Sequence, residues 1–179
     1  MKLDPLSKLT ALAPHLSALP QPVIAAVNGV AAGAGLSLAL ASDIRIASEQ
    51  ARFSSIFIKR CLVPDNGASY LLASLCGVGI AAEMALTGRV YDAQWALRVG
   101  LVNQVVSGCK LMEEASALAE EIASNPPIAV RSTKQLINSY RPDLYRVAED
   151  EFASNAPSDG SEDRREAIQA FIEKRQPEF

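Results

Sequence analysis

The stretch NGVAAGAGLSLALASD, Asn28 to Asp43, can do chemistry only through its backbone and a few small polar side chains. A loop rich in glycine and alanine that ends at a helix N-terminus exposes N–H groups and adds the positive end of the helix dipole. Together these make a site for negative charge. Such charge is either a phosphate on a bound nucleotide or an oxyanion that forms only during reaction. The phosphate loops have the spacings GxGxxG and GxxxxGK[ST], and neither occurs here, so the oxyanion reading leads. Taken alone, Gly33 and Gly35 serve equally well to let a helix pack closely on a strand. The tetrad Pro64-Asp65-Asn66-Gly67, taken alone, is a turn or a helix cap.

The elements that must position this loop follow from the pattern of apolar residues. Val23 to Val27, bounded by Pro22 and Asn28-Gly29, is a strand buried on both faces, Gly29 to Gly35 a loop, and Leu36 to Ala41 the helix it leads into. On length alone Val23 to Ala41 could be a membrane helix, but Pro20, Pro22 and Asn28-Gly29 interrupt it and Ala and Gly give little transfer into lipid. Asp43 to Ala47 alternates, which predicts a strand with one polar face. Helices are predicted at Ala68 to Cys76 and Val78 to Thr87, closed by Gly77 and Gly88, and at Ala93 to Val99, capped by Asp92. Leu101 to Val106 reads as a strand. Beyond it come only helices: Leu111 to Ser124, Ile128 to Tyr140, Asp143 to Ala153, and Glu162 to Lys174 with Ser161 as its cap. The class is α/β with a helical tail, one domain divided at about residue 107 into a core (1–107) and a C-terminal helical region (108–179).

Composition narrows the partners. The 179 residues carry a net charge of −3 with a pI near 5.2, which offers no basic face to nucleic acid. Cys61, Cys76 and Cys109 form no CxxC or Cys/His cluster, so neither a metal nor a disulfide framework is indicated and a reducing cytoplasm suits them. The first residues, broken by Pro5 and Pro14, lack the apolar core and cleavage site of a signal peptide.

Three stretches in order, PVIAAVNGVAAGAGLSLALASDIRIAS, LTGRVYDAQWALRVGLVNQVV and DRREAIQAFIEKRQPEF, resemble successive hallmarks of the crotonase superfamily, the enoyl-CoA hydratase/isomerase proteins. The resemblance runs from about Pro20 to the C-terminus. It implies a β-β-α spiral with a C-terminal helical trimerisation region, a homotrimer or dimer of trimers, and an acyl-CoA thioester substrate whose coenzyme A is the only cofactor-like group. It implies further that the backbone N–H of Ala34, between Gly33 and Gly35, is half of an oxyanion hole for the thioester carbonyl. Phe171 and Lys174 match positions that contact the CoA adenine and phosphate, often across a subunit boundary.

The hydratases of this family use two glutamates, and the matching positions here are Ser37 and Phe57, neither of which is a general base at neutral pH. Asp65 instead matches the single carboxylate, directly after a proline, of the family's enoyl-CoA and epoxyphenylacetyl-CoA-type isomerases. A 1,3-proton shift needs only one such group, since the carboxylate that takes the proton from one carbon can return it to another. Isomerisation therefore fits better than hydration. A hydratase-like or dehalogenase-like member, and a catalytically silent acyl-CoA-binding or assembly module, are the alternatives. The block of strands with which the family's domain starts, and which supplies the second oxyanion donor, has no counterpart before Pro20. MKLDPLSKLTALAPHLSALPQ reads as the end of a lead-in helix, and a truncated reading frame is the expectation. His15 is expected at the surface; Tyr70, Arg89 and Trp95 are expected to be core or surface elements. Ala167, Ile168, Phe171 and Ile172 form an apolar stripe that packs either on its own domain or on a neighbouring subunit.

Overall fold

Asn28 and Gly33 divide the run from Val23 to Ala41 into two strands and a helix. The computed structural model describes residues 11–179, so the first half of the expected lead-in helix lies outside the described residues. In chain order the elements are α1 (Leu12–Ser17), β1 (Ile24–Val27), β2 (Val30–Ala32), α2 (Ala34–Ala41), β3 (Ile44–Ser48), β4 (Arg52–Ser54), a 3-10 turn (Ile56–Arg60), α3 (Ala68–Cys76) and α4 (Val78–Thr87). They continue with β5 (Tyr91–Asp92), α5 (Ala93–Arg98), β6 (Gln104–Val106), α6 (Leu111–Ala123), α7 (Pro127–Asn138), α8 (Leu144–Asn155) and α9 (Glu162–Glu173). Asp92 and Ser161 cap α5 and α9 as expected, accepting from the N–H groups of Trp95 and Arg164. No described helix is long and apolar enough to cross a membrane.

Consecutive strands enter different sheets. β1, β3 and β6 form one parallel sheet, with Ile24 opposite Ile44 and Ile46 opposite Gln104. In the second sheet β2 runs parallel to β4, and β4 pairs antiparallel with β5, Phe53 facing Ala31 on one side and Tyr91 on the other. The chain thus repeats strand, strand, helix twice: β1, β2, α2, then β3, β4, α3. The segment expected as a pure loop, Gly29 to Gly35, contains β2, and β4 and β5 lie outside every expected strand. Strands of two or three residues are too short to show alternation, and each exists only because a remote partner supplies its hydrogen bonds. The strand expected at Leu101 to Val106 shortens to β6, because Leu101 and Val102 are drawn into the core.

Phe53, Leu36, Leu40, Leu71, Leu72, Met84 and Leu101 are fully buried and pack α2 and α3 against the second sheet. A smaller cluster of Ile46, Leu111 and Ala115 seats α6 on the first. β3 has no solvent-facing side, contrary to the alternation. Arg45 is 4 % exposed; its Nε donates to Leu101 O at 2.8 Å and its Nη1 to Ser42 O at 2.6 Å. Elements on both sides cover β3, so the guanidinium is tolerated only because backbone carbonyls take up its N–H groups. Arg45→Met keeps the length of the stem but orphans those carbonyls. The expected loss is about 2–4 kcal/mol of stability, read from urea unfolding as a lower midpoint at unchanged slope.

α7 is strapped to the start of both β1 and β3 by one buried cation. Lys134 Nζ lies 2.7 Å from Asp43 Oδ2 and 2.8 Å from Gln21 O, and the same Asp43 oxygen accepts Val23 N–H at 2.7 Å.

Candidate active site

The glycine loop closes through a conformation that only glycine adopts readily. Gly33 sits at φ +55° and ψ −128°, while its N–H still completes the β2–β4 ladder by donating to Ser54 O at 3.2 Å. From there α2 starts abruptly, and with no side-chain cap the N–H groups of Ala34, Gly35 and Leu36 have no acceptor among the described residues. Ala34 and Gly35 are exposed, and a Cβ placed on Gly35 would meet no atom within 4 Å. Open donors and the positive end of a helix therefore converge on one accessible spot.

Asp65 reaches the neighbourhood of this spot through Ser37, three residues beyond Ala34 and so on the same face of α2. The fully buried Ser37 hydroxyl donates to Asp65 O at 3.0 Å, with Asp65 Oδ1 at 3.5 Å and Gly33 O at 3.3 Å also within reach. Asn66 Nδ2 donates to the same carboxyl oxygen at 3.0 Å, and Asn66 Oδ1 accepts Ala13 N–H at 3.3 Å. Asn66 and Gly67 are both left-handed, at φ +56° and +80°, which turns the chain into α3. Burial pushes the Asp65 carboxyl above the usual aspartate range, and the hydrogen bonds from Asn66 and Ser37 only partly oppose it. Phe57 is buried with its ring edge beside Gly33.

A second carboxyl belongs to the same neighbourhood. Glu151 of α8 is 6 % exposed; its Oε2 accepts Gly67 N–H at 2.7 Å, and its Oε1 accepts Ser69 N–H at 2.9 Å and the Ser69 hydroxyl at 2.5 Å. Desolvation pushes its carboxyl up, the Ser69 and Gly67 bonds pull it down, and the charge of Asp65 adds to the upward shift. Sequence reasoning misses this residue. The one available signal is that Leu144, Ala148 and Glu151 share the buried stripe of α8, which puts a carboxylate where the 3.6-residue period calls for an apolar side chain.

Phe171 and Lys174 are not brought into the space around Ala34 and Asp65. With Ile56, Lys59, Arg60 and Arg175 they line a separate groove of about 360 Å³. The Arg60 guanidinium lies 4.0 Å over the Phe171 ring, and Lys174 ends α9 in a left-handed conformation. Ile56 joins the two regions, since it lines this groove and also flanks Gly33. Only Ala167 and Ala170 of α9 are buried against this chain, while Ile168, Phe171 and Ile172 are 45–67 % exposed. A larger apolar groove of about 570 Å³, between β1 and helices α6 and α7, contains neither Ala34 nor Asp65. His15 is exposed in α1, Arg89 is exposed, and Tyr70 and Trp95 pack against the core. Among the described residues no cluster of His, Cys, Asp and Glu could hold a metal ion.

Comparison with known proteins places the chain in a family. The family model described as enoyl-CoA hydratase/isomerase matches residues 4–179. The chain is 41 % identical over 165 residues to a short-chain-enoyl-CoA hydratase of Clostridium acetobutylicum, covering 92 % of this chain and 63 % of the relative. It is 40 % identical over 166 residues to a 1,2-epoxyphenylacetyl-CoA isomerase of Escherichia coli, with the same shares of 92 % and 63 %. The chain therefore spans just under two thirds of the length of these relatives. A solved enoyl-CoA hydratase from Mycobacterium avium subsp. paratuberculosis superposes with a TM-score of 0.90 at 37 % identity, covering 96 % of this chain and 70 % of that one. The strand-strand-helix spiral is the crotonase fold, and the chain belongs to the enoyl-CoA hydratase/isomerase family.

Proposed function

We propose that this chain carries the proton-transfer centre of an enoyl-CoA isomerase, moving a double bond along an acyl-CoA thioester by a 1,3-proton shift. The observation that carries this reading is the Ser37 bridge: one carboxylate, Asp65, is tied to the first turn of α2, where the N–H groups of Ala34, Gly35 and Leu36 have no acceptor among the described residues. By the family resemblance, Ser37 and Phe57 stand where hydratases carry their two glutamates. Removal of a proton α to the thioester places negative charge on the carbonyl oxygen. Donors aimed at that oxygen hold the enolate more tightly than the ground state. Asp65 takes the proton as its carboxylate and returns it to the γ carbon, and its raised proton affinity suits a group that must both accept and release. The groove with Phe171, Lys174, Lys59, Arg60 and Arg175 has the aromatic face and positive charge that an adenine and its phosphates require. Association into trimers, alone or paired, is part of the same proposal and would cover the exposed apolar side chains of α7 (Ile128, Leu136, Ile137) and α9.

The test is conversion of a 3-enoyl-CoA to its conjugated 2-enoyl isomer, followed by ultraviolet absorbance, and repeated in oxygen-18 water. Isomer without label supports the reading. Label in the product assigns hydration or hydrolysis, and binding of a CoA ester without turnover assigns the silent module.

A further inference from the structure

The segment that carries Asp65 is fastened from the C-terminal helices. Val63 N–H donates to Asn155 Oδ1 of α8 at 3.0 Å, Arg164 of α9 donates to Arg60 O, and Glu151 takes the three donors of Gly67 and Ser69. Asn155 lies one turn from Glu151 and donates its Nδ2 to Glu151 O at 3.2 Å, so the two α8 residues act on the segment together. The most costly of these contacts is Glu151. A carboxylate on the buried stripe of a helix is unfavourable unless every lone pair it turns inward is satisfied, and among the described residues no Lys or Arg pairs with it. Its partners are instead the N–H and hydroxyl of Ser69, in the first turn of α3, and the N–H of Gly67, the second of the two left-handed residues that follow Asp65. Asn66 is the costly one of that pair, because a Cβ disfavours its conformation.

We propose that Glu151 is a positioning residue: by gripping the Gly67 and Ser69 donors it locks the Asn66–Gly67 turn and so keeps the Asp65 carboxyl beside Ser37 and the start of α2. The inference deepens the isomerase reading and rests on it for the part that concerns turnover. Glu151 does not itself meet the substrate. Without it, Gly67 N–H and Ser69 N–H lose their acceptor, the turn relaxes, and Asp65 leaves its place beside Ser37. A displacement of about 1 Å at a proton-transferring group lowers a rate by roughly two orders of magnitude.

Glu151→Gln preserves volume but sets an amide N–H against at least one of the three donors. The expected result has three parts. Hydrogen exchange at the Gly67 and Ser69 amides accelerates about tenfold or more, while the amides of Leu40 and Ile46 keep their protection. On a 3-enoyl-CoA, kcat falls about 10- to 100-fold with KM nearly unchanged. In an Asp65→Asn background the same substitution costs nothing further, because both changes disable one group. Ser69→Ala, which removes the hydroxyl bond but leaves the carboxylate and both backbone donors, is a milder second variant with a smaller change in the same direction. Unchanged Gly67 and Ser69 exchange in the folded variants overturns the proposal, as does a loss of kcat that persists in full on top of Asp65→Asn. If the parent chain turns over no 3-enoyl-CoA, the isomerase reading fails by itself, and amide exchange alone then supports or overturns the brace.

Discussion

Asp65→Asn is expected to lower isomerisation by about 10²–10⁴-fold while leaving the chain as stable as its parent at neutral pH, or more so. The amide oxygen of asparagine can still accept from Asn66 Nδ2 and Ser37 Oγ, so the local hydrogen bonds survive. What disappears is the proton acceptor. Because burial raises the Asp65 carboxyl above its ordinary value of 3.8, the folded chain holds that proton more tightly than the unfolded chain. Ionising Asp65 therefore costs stability; the cost develops as pH rises from the unfolded value through the folded one and is complete above it. Replacement by asparagine removes the cost. The melting temperature of the variant should match or exceed the parent's at about pH 7, and the advantage should vanish near pH 3, where both side chains are neutral. In the parent, kcat/KM should fall on the acid side with a midpoint above the ordinary aspartate value, and the variant should lack that limb. A folded variant that keeps its turnover would assign proton transfer to another group.

Ala34→Pro is the second large effect. The substitution deletes one backbone N–H and nothing else that the fold uses, since that N–H has no acceptor among the described residues. Ala34 is the first residue of α2, where proline is well accommodated. The preceding Gly33 is outside the helical region at ψ −128° and has no Cβ to meet the proline ring. Turnover is expected to fall about 10²–10³-fold, the usual consequence of removing one oxyanion donor, with much less effect on binding of an unreactive acyl-CoA. Ala34→Gly, which keeps the N–H, should retain activity. If the proline variant folds and works within about threefold of the parent, the oxyanion is held elsewhere.

The sequence by itself determined the elements whose signals are local. The helices capped by Asp92 and Ser161 and the strand after Pro22 follow from propensity, period and cap chemistry within a dozen residues, but that strand is half-buried rather than buried on both faces, and α2 starts at Ala34, two residues before the expected Leu36. The three family stretches carried the fold, and Ala34 and Asp65 were nameable because each lies inside a recognisable local motif. Tertiary structure alone decided what depends on partners distant in the chain. β2, β4 and β5 are too short to have a pattern of their own, Arg45 is buried because elements on both sides close over β3, and Ser37 acquires a role only when Asp65, 28 residues away, comes to its hydroxyl. The C-terminal helices gave the least warning. Their apolar stripes show that they pack, but not on what, and Glu151 reads as an ordinary charge until α8 is laid against the start of α3, 82 to 84 residues earlier. A buried carboxylate is specified by the donors that surround it, and two of the three around Glu151 are backbone groups that no side-chain pattern in the sequence reveals.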